Sequence, residues 1–238
     1  MGCSFSRGTK IAADGSGVGS GRATPFALPR DAPGAVTTLL SVLHGAHSVG
    51  AGVFGFLTTR EARALRLVSH ECREAVAAAR WHDAGTLIGG SLKAWRACFP
   101  GAVAANVGWR WDVTDADFEH LVGVKVVAMW NCAGITDTGL AHLRGIHTLD
   151  MSHCTGVTDA GLAHLGGVHT LDMSYCTGVT DAGLAHLRGI HTLGMRYCTG
   201  ITPDGLAHLH GIHTLEVHGC APATVTAACA MRPSLLRG

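Results

Sequence analysis

Histidine, aspartate and serine recur together in the C-terminal half of the chain. His147, Asp150 and Ser152 form an H-x-x-D-x-S pattern, which returns from His169. These are the residue types of a hydrolase triad, but a triad also needs a hydrogen bond from nucleophile to base and an oxyanion hole. Because the pattern is copied, duplication of a structural unit explains it better than catalysis. We therefore predict no catalytic residue.

The same face could instead hold a metal ion. His147, Asp150, His153 and His169 would lie within reach of one another on parallel strands, which are roughly 4.8 Å apart. Imidazole and carboxylate ligands suit zinc or nickel, but no neighbouring group is evident that would orient them. A metal-dependent enzyme using the His/Asp strand face therefore stands as an unfavoured alternative, and we expect neither metal nor cofactor.

One 22-residue unit positions all of these side chains. The unit is clearest in IHTLDMSHCTGVTDAGLAHL, which starts at Ile146. Copies begin at Val103, Val124, Ile146, Val168 and Ile190, and a terminal half copy begins at Ile212. A unit of this length cannot bury a core alone, so five units and a terminal strand must stack.

Each unit predicts one short strand and one short helix. Leu149 and Met151 alternate with polar residues, which is typical of a strand with one buried face. Thr158 is a good N-cap, and Asp159 follows it in the first turn, where the helix dipole favours a carboxylate. Gly167 ends the helix.

Five cysteines share the period of the unit, namely Cys132, Cys154, Cys176, Cys198 and Cys220. A fixed period places one thiol at the same buried turn of each unit, whereas a disulfide framework scatters cysteines through loops. The first ten residues lack the apolar region of a secretory signal. Both observations predict a cytoplasmic protein.

The charge of the chain limits its partners. Eighteen basic and seventeen acidic residues nearly cancel. This balance excludes a strongly basic binder that works by neutralising phosphates, so we expect no nucleic-acid partner.

The pattern L-x-x-I-x-x-L-x-M-x-x-C-x-x-V-T-D-x-G-L-x-x-L resembles the cysteine-containing leucine-rich repeat. The resemblance implies an α/β fold, a leucine-rich-repeat solenoid of parallel strands plus short helices in 22-residue units, with the strands on the concave side. We assign residues 102–238 to this domain and residues 84–101 to a connecting helix and cap.

Residues 28–83 are predicted to form a small helical domain. Between Arg60 and Arg80, apolar residues at helical spacing, Leu65 and Val68 among them, define one buried face. The run VFGFL at 53–57, the run LRLVS at 65–69, Arg73 and Trp81 are similar to an F-box, the adaptor-binding module of cullin–RING ubiquitin ligases. The resemblance implies adaptor contacts through Val53, Phe54, Phe56, Leu57, Leu65 and Val68.

The outward side chains of the strands are the candidate partner-binding surface. Several of them differ from their neighbours in the column, and aromatic and arginine side chains dominate binding hot spots. The predicted surface comprises Trp130, Asn131, Asp150, Asp172, Tyr175, Arg196, Tyr197, Glu216 and His218.

These features favour a non-enzymatic subunit that binds a protein substrate within a cullin–RING (SCF-type) ubiquitin ligase. Its expected partners are the ligase adaptor subunit, the cullin complex and an unidentified protein substrate. A leucine-rich-repeat interaction scaffold without a ligase link is the alternative.

Residues 1–27 are rich in glycine and serine and predict a flexible segment. The start MGCSFS fits N-myristoylation of Gly2, and Cys3 is a common palmitoylation position. One myristoyl chain binds a membrane only marginally, so Cys3 would supply the second signal. We expect peripheral association with the inner face of a membrane through this lipid.

Overall fold

A computed structural model describes residues 4–6 and 57–231. Its first helices precede the repeats, and they are α1 (Thr59–Leu65), α2 (His70–Ala78) and α3 (Leu92–Cys98). α1 begins at a capping box, in which Thr58 accepts from the Glu61 N–H and Glu61 accepts from the Thr58 N–H. α3 lies within residues 84–101, where the sequence predicted a connecting helix.

The prediction of one continuous buried face between Arg60 and Arg80 is wrong. The Ser69 hydroxyl accepts a hydrogen bond from the Cys72 N–H at 3.1 Å and starts a second helix. Val68 therefore lies in a turn, where it is 45% exposed, whereas Cys72 and Val76 are buried on α2. A serine that competes for a backbone donor favours a cap over a helix interior.

The repeats build one sheet with the order β1-β7-β6-β5-β4-β3-β2. Each neighbouring pair from β2 to β7 is parallel, and partners lie 22 residues apart, such as Leu149 beside Leu171. The strands are β1 (Ser4–Ser6), β2 (Ala104–Asn106), β3 (Val126–Ala128), β4 (Thr148–Asp150), β5 (Thr170–Asp172), β6 (Thr192–Gly194) and β7 (Thr214–Glu216). This regular stack confirms the predicted parallel strands in 22-residue units.

β1 departs from the expectation that residues 1–27 form a flexible segment throughout. Ser4–Ser6 pair antiparallel with Thr214–Glu216. β7 would otherwise present an unpaired row of backbone donors and acceptors at this side of the sheet. The added strand β1 pairs with these backbone groups of β7. No repeat or periodicity in the sequence predicts this strand.

A short helix follows each strand. In the three central units it is one α-turn, α4 (Asp137–Leu140), α5 (Asp159–Leu162) or α6 (Asp181–Leu184), continued by the 3₁₀ helices Ala141–Leu143, Ala163–Leu165 and Ala185–Leu187. The first and last units carry only the 3₁₀ helices Asp115–Leu121 and Gly205–Leu209. α7 (Pro222–Ala230) follows β7 and packs Ala228 into the core.

The apolar core runs without a break from Ala62 in α1 to Ala228 in α7. Within a unit, Leu149, Met151 and Cys154 are at most 1% exposed. The helices before the repeats join this core and do not form one of their own.

Aspartates join each unit to the next. The Thr158 N–H donates to Asp137 Oδ1 at 2.8 Å, and the Thr158 hydroxyl donates to Asp137 Oδ2 at 2.6 Å. The same pair of bonds links Asp115 to Thr136, Asp159 to Thr180, and Asp181 to Thr202. This carboxylate was predicted only to favour the dipole of its own helix, whereas in the structure it also forms a hydrogen-bonded ladder between units.

A glycine in the helix of each unit after the first makes room for this ladder. A Cβ atom at Gly139 would lie 2.5 Å from Asp115 Oδ1, and one at Gly161 would collide with Asp137 Oδ1. In the last unit Pro203 occupies the aspartate position, and the ladder ends there.

None of the helices in residues 57–231 is long and apolar enough to cross a membrane.

Candidate functional site

The candidate site is the outward face of β3 to β7, together with the edge where these strands end. Leu149 is buried, whereas Thr148 and Asp150 on either side of it face outward and are half-buried. The parallel register places Asp150 between Ala128 on β3 and Asp172 on β5. The row therefore carries two adjacent carboxylates.

Arg196 neutralises part of this row. Its guanidinium lies 3.6 Å from Asp172 Oδ2 and 3.5 Å from Glu216 Oε2. Gly194 stands between those two acids in the register, and a Cβ there would lie only 3.0 Å from Asp172 Oδ1. The predicted surface residues Asp172, Arg196 and Glu216 thus lie together.

His147, Asp150 and Ser152 of the H-x-x-D-x-S pattern do not form a catalytic triad. The Ser152 hydroxyl donates to Asp150 Oδ1 at 2.7 Å. His147 Nδ1 instead lies 3.1 Å from the Thr148 hydroxyl. The serine and the histidine therefore bond to different partners.

The histidines before the strands stack face to face. The ring centroids of His147, His169, His191 and His213 are separated in turn by 4.7, 4.4 and 4.3 Å. Desolvation lowers the pKa of His191, and the neighbouring His213 and His169 lower it further.

This stacking bears on the metal alternative. Parallel imidazoles present their faces to one another and not their nitrogens to a common centre. Within the described part of the chain, no group of three or more histidine, cysteine, aspartate or glutamate residues is arranged to hold a metal ion.

A row of left-handed residues lines the edge where the strands end. Trp109, Asn131, His153, Tyr175 and Tyr197 follow one another at 22-residue intervals and have φ between 58° and 64°. We call these five residues the rim. His153 stacks on Tyr175 at 4.1 Å, and Tyr175 stacks on Tyr197 at 4.6 Å.

The predicted binding surface included three of the five rim residues but missed Trp109 and His153, and His153 was considered only as a metal ligand. Tyr175 and Tyr197 were predicted as binding residues, and each is 38% exposed. Trp109 is 63% exposed, and Trp111 beyond it is 85% exposed. The signal was present, since Trp109 stands one repeat before Asn131, but the first unit is diverged and its register is hard to read. Of the other predicted residues, Trp130 is half-buried and His218 is exposed beside Tyr197.

The predicted adaptor-binding residues are described only in part. Leu57 and Leu65 are half-buried against the core, and Val68 is exposed beside Leu67, which is 87% exposed. The Arg66 guanidinium donates to the Cys98 carbonyl at 2.7 Å, which fixes the turn to α3. Val53, Phe54 and Phe56 lie outside the described residues, as do Gly2 and Cys3.

The cysteine column is structural. Each of its five thiols is free and buried, and Cys154 Sγ donates to the Met129 carbonyl at 3.1 Å. Burial raises the pKa of Cys154 and of Cys198 to about 12. Thiols of this kind are poor nucleophiles. Outside the column Cys229 is disulfide-bonded, so the expectation of free thiols holds for the column and not for every cysteine.

One family model matches part of the repeat region. The chain matches a family model described as Leucine Rich repeat over residues 142–166. A search of curated proteins finds no match. One similar solved structure is the crystal structure of the Rad7 and Elc1 complex in yeast, at 14% identity and a TM-score of 0.44, over 50% of this chain and 34% of that chain. The chain therefore spans about a third of that neighbour's length. Residues 142–166 are therefore similar to a leucine-rich repeat, and the units around them share the same strand, turn and helix in one parallel stack.

Proposed function

We propose that this chain is a non-enzymatic protein-interaction scaffold whose outward strand face and rim bind a protein partner. The rim is the observation that supports this proposal. A left-handed backbone costs a non-glycine residue about 1–2 kcal/mol. Gly219 occupies the next rim position with φ of 77°, so the fold itself requires no side chain there. Exposed aromatic rings at such costly positions are best explained by contact with a partner.

Two further features favour binding over catalysis. The face is an open sheet, and its serine and histidine side chains bond to separate partners. The buried thiols carry raised pKa values and take no part in nucleophilic chemistry. Arg196 and Tyr197 instead are residue types that are enriched at protein interfaces.

The finer proposal is that this scaffold is the substrate-recognition component of a cullin–RING ligase. Its support lies in α1 and α2, because the turn between them exposes Leu67 and Val68 ahead of the repeats. In this proposal Val68 and Leu65 contact the adaptor subunit, and the repeats hold the protein to be ubiquitinated. A scaffold with no ligase link is the second candidate.

Affinity purification of the full chain, followed by identification of the co-purified proteins, separates the two candidates. Adaptor and cullin peptides that are lost with Val68→Glu but kept with Val122→Glu support the ligase subunit. Both valines are exposed, at 45% and 54%, so neither change disturbs the core. A specific partner without adaptor or cullin supports the plain scaffold, and no specific partner at all contradicts both.

We also propose that the protein works in the cytoplasm at the inner face of a membrane, through lipids on Gly2 and Cys3. Fractionation of the intact protein beside its Gly2→Ala and Cys3→Ser forms tests this. Because one myristoyl chain binds a membrane only marginally, we expect the Gly2→Ala protein to be wholly soluble and the Cys3→Ser protein to be largely soluble. An intact protein that is already soluble contradicts the proposal.

A further inference from the structure

Trp109 and Trp130 lie together at the start of the outward face, and Trp111 follows Trp109 by two residues. We call these three residues the tryptophan patch. Trp130 packs edge-on against Trp109, with centroids 5.4 Å apart and planes at 83°. It also covers Gly108, where a Cβ atom would lie 2.5 Å from the Trp130 ring. Trp109 and Trp111 remain 63% and 85% exposed. Surface tryptophans held in a fixed arrangement are typical binding hot spots.

Arg110 holds this patch in place and contributes no free charge to it. Its Nη1 donates to the carbonyls of Ile88 at 3.1 Å and Gly90 at 2.7 Å. Its Nε and Nη2 donate to both carboxylate oxygens of Asp112, at 3.0 and 2.6 Å. The two tryptophans on either side of Arg110 are therefore presented from an anchored backbone.

An unpaired carboxylate lies on β4, the strand next to β3, and Trp130 follows the end of β3. Asp150 is the register partner of Ala128, which stands two residues before Trp130 on β3. The Asp150 carboxylate accepts hydrogen bonds from the Ser152 N–H and hydroxyl, at 3.1 and 2.7 Å. Among residues 57–231 it makes no ion pair, whereas Asp172 beside it pairs with Arg196. Ala128, the neighbour of Asp150 on β3, is small and carries no charge.

The wider charge pattern has the same sign. Residues 102–231 contain five basic and eleven acidic residues, a net charge of −6 with neutral histidines. The two arginines nearest the face, Arg110 and Arg196, are both paired with acids. The remaining basic residues, Lys125, Arg144 and Arg188, precede the strands and lie towards the opposite edge of the sheet. An incoming cation therefore meets no unpaired positive charge from the residues around the patch.

We propose that the tryptophan patch and Asp150 together bind an arginine-bearing peptide segment of the partner, an inference that rests on the proposed scaffold function. A guanidinium is planar, so it stacks on an indole face while its N–H groups pair with a carboxylate. Lysine offers only a point charge and gains less from this arrangement. The partner class is thus a protein with an exposed, extended, arginine-containing stretch.

Isothermal titration calorimetry of the full chain with an alternating glycine–arginine octapeptide tests this proposal. Peptides with lysine, glutamine or glutamate in place of arginine are the matched probes. We expect the arginine peptide to bind best, the lysine peptide more weakly, and the other two not at all. Raising NaCl towards about 1 M, where the Debye length is about 3 Å, should weaken the binding.

Two variants and two controls locate the site. Trp111→Ala should weaken binding about fivefold, as expected for one exposed cation–π contact, and Asp150→Asn should weaken it about tenfold, as expected for a lost charge pair. Val122→Ala and Glu74→Gln remove another exposed apolar group and another exposed acid, and should leave the affinity unchanged. Trp111 is so exposed that its loss does not unfold the chain, and circular dichroism checks this.

Equal binding of the glutamine or glutamate peptide, or equal affinities for all variants, overturns the proposal. The proposal is also overturned if the full chain does not bind the arginine peptide but captures a natural partner that the Tyr197→Ala variant no longer captures. That result would still support the scaffold function. If no partner is captured either, the proposed function itself fails.

Discussion

Replacing Asp159 by alanine removes one rung of the ladder that joins the units. The Thr180 N–H donates to Asp159 Oδ1 at 2.8 Å, and the Thr180 hydroxyl donates to Oδ2 at 2.6 Å. Both bonds have a charged acceptor, and such bonds contribute about 1.5–3 kcal/mol each when water is excluded. This rung is exposed, so water replaces part of the loss, and we expect the free energy of unfolding to fall by about 2 kcal/mol.

Urea unfolding followed by far-ultraviolet circular dichroism measures this loss. The matched control is Asp204→Ala, because Asp204 lies in the same turn of the last unit but its carboxylate accepts no hydrogen bond from the described residues. The control should change stability by no more than about 0.5 kcal/mol, as ordinary surface substitutions do. In thermal unfolding the Asp159 variant should melt about 4–8 °C lower, at about 2–4 °C per kcal/mol for a chain of this size.

A double-mutant cycle with Thr180→Val shows whether the loss comes from this contact. Groups in direct contact couple by about 0.5–3 kcal/mol, and distant groups add independently. We expect a coupling of about 1 kcal/mol between Asp159 and Thr180. An Asp159 variant as stable as the Asp204 control, or a coupling near zero, would refute the ladder as a source of stability.

Three further predictions follow from the packing and the titrating groups. Gly183→Ala should destabilise the protein by about 2 kcal/mol in the same urea assay, because the added Cβ would collide with Asp159 Oδ1. The control Gly166→Ala meets no atom within 4 Å and should be neutral or slightly stabilising, so equal effects of the two changes would contradict this prediction. Burial raises the pKa of Cys154 to about 12 in the folded protein, whereas an unfolded thiol titrates at about 8.5, so the free energy of unfolding should fall as pH rises from about 8.5 towards 12. This fall should be less steep in Cys154→Ala, and parallel pH profiles of the two proteins would argue against the buried thiol. The pKa of His191 is lowered in the folded protein, so its contribution to stability is present above about pH 6.5 and is lost as pH falls below that value. The melting temperature should therefore fall less on acidification in His191→Gln than in the unchanged protein, and identical falls would count against the stacked histidines.

The repeat fold was predictable because its signals lie within one unit. Leu149 and Met151 alternate with polar residues, Thr158 caps a helix, and Cys154 returns at a fixed interval, so each copy predicts the same strand, turn and helix. Stacking then follows, because no single copy buries its own core. The structure bears out the buried cysteine column and the register that it implies.

The features that were missed depend on contacts between distant residues. Asp159 bonds to Thr180 in the next unit, a pairing that the pattern of one unit does not reveal. The chain leaves α1 and starts α2 because the Ser69 hydroxyl accepts a hydrogen bond from the Cys72 N–H. The helical spacing of the apolar residues continues across this point, so it does not reveal where one helix ends and the next begins. β1 forms because β7 offers an unpaired edge, which is a property of the assembled sheet.

The candidate site was predicted in its composition but not in its geometry. Tyr175 and Tyr197 were predicted as binding residues from their outward position and aromatic type, and the structure places them on the rim. Their stacking, and the pairing of Arg196 with two acids, depend on side-chain packing that residue types alone do not determine.

The central claim is that the outward face and rim bind a protein partner, and a quantitative capture assay tests it most directly. The full chain and its Arg196→Ala/Tyr197→Ala variant are compared, with Glu74→Gln as a control on the exposed surface of α2. The account predicts that the captured partner falls at least about tenfold with the double variant, since hot-spot residues each contribute over about 1 kcal/mol, and is unchanged with the control. Equal capture by all three proteins would contradict it.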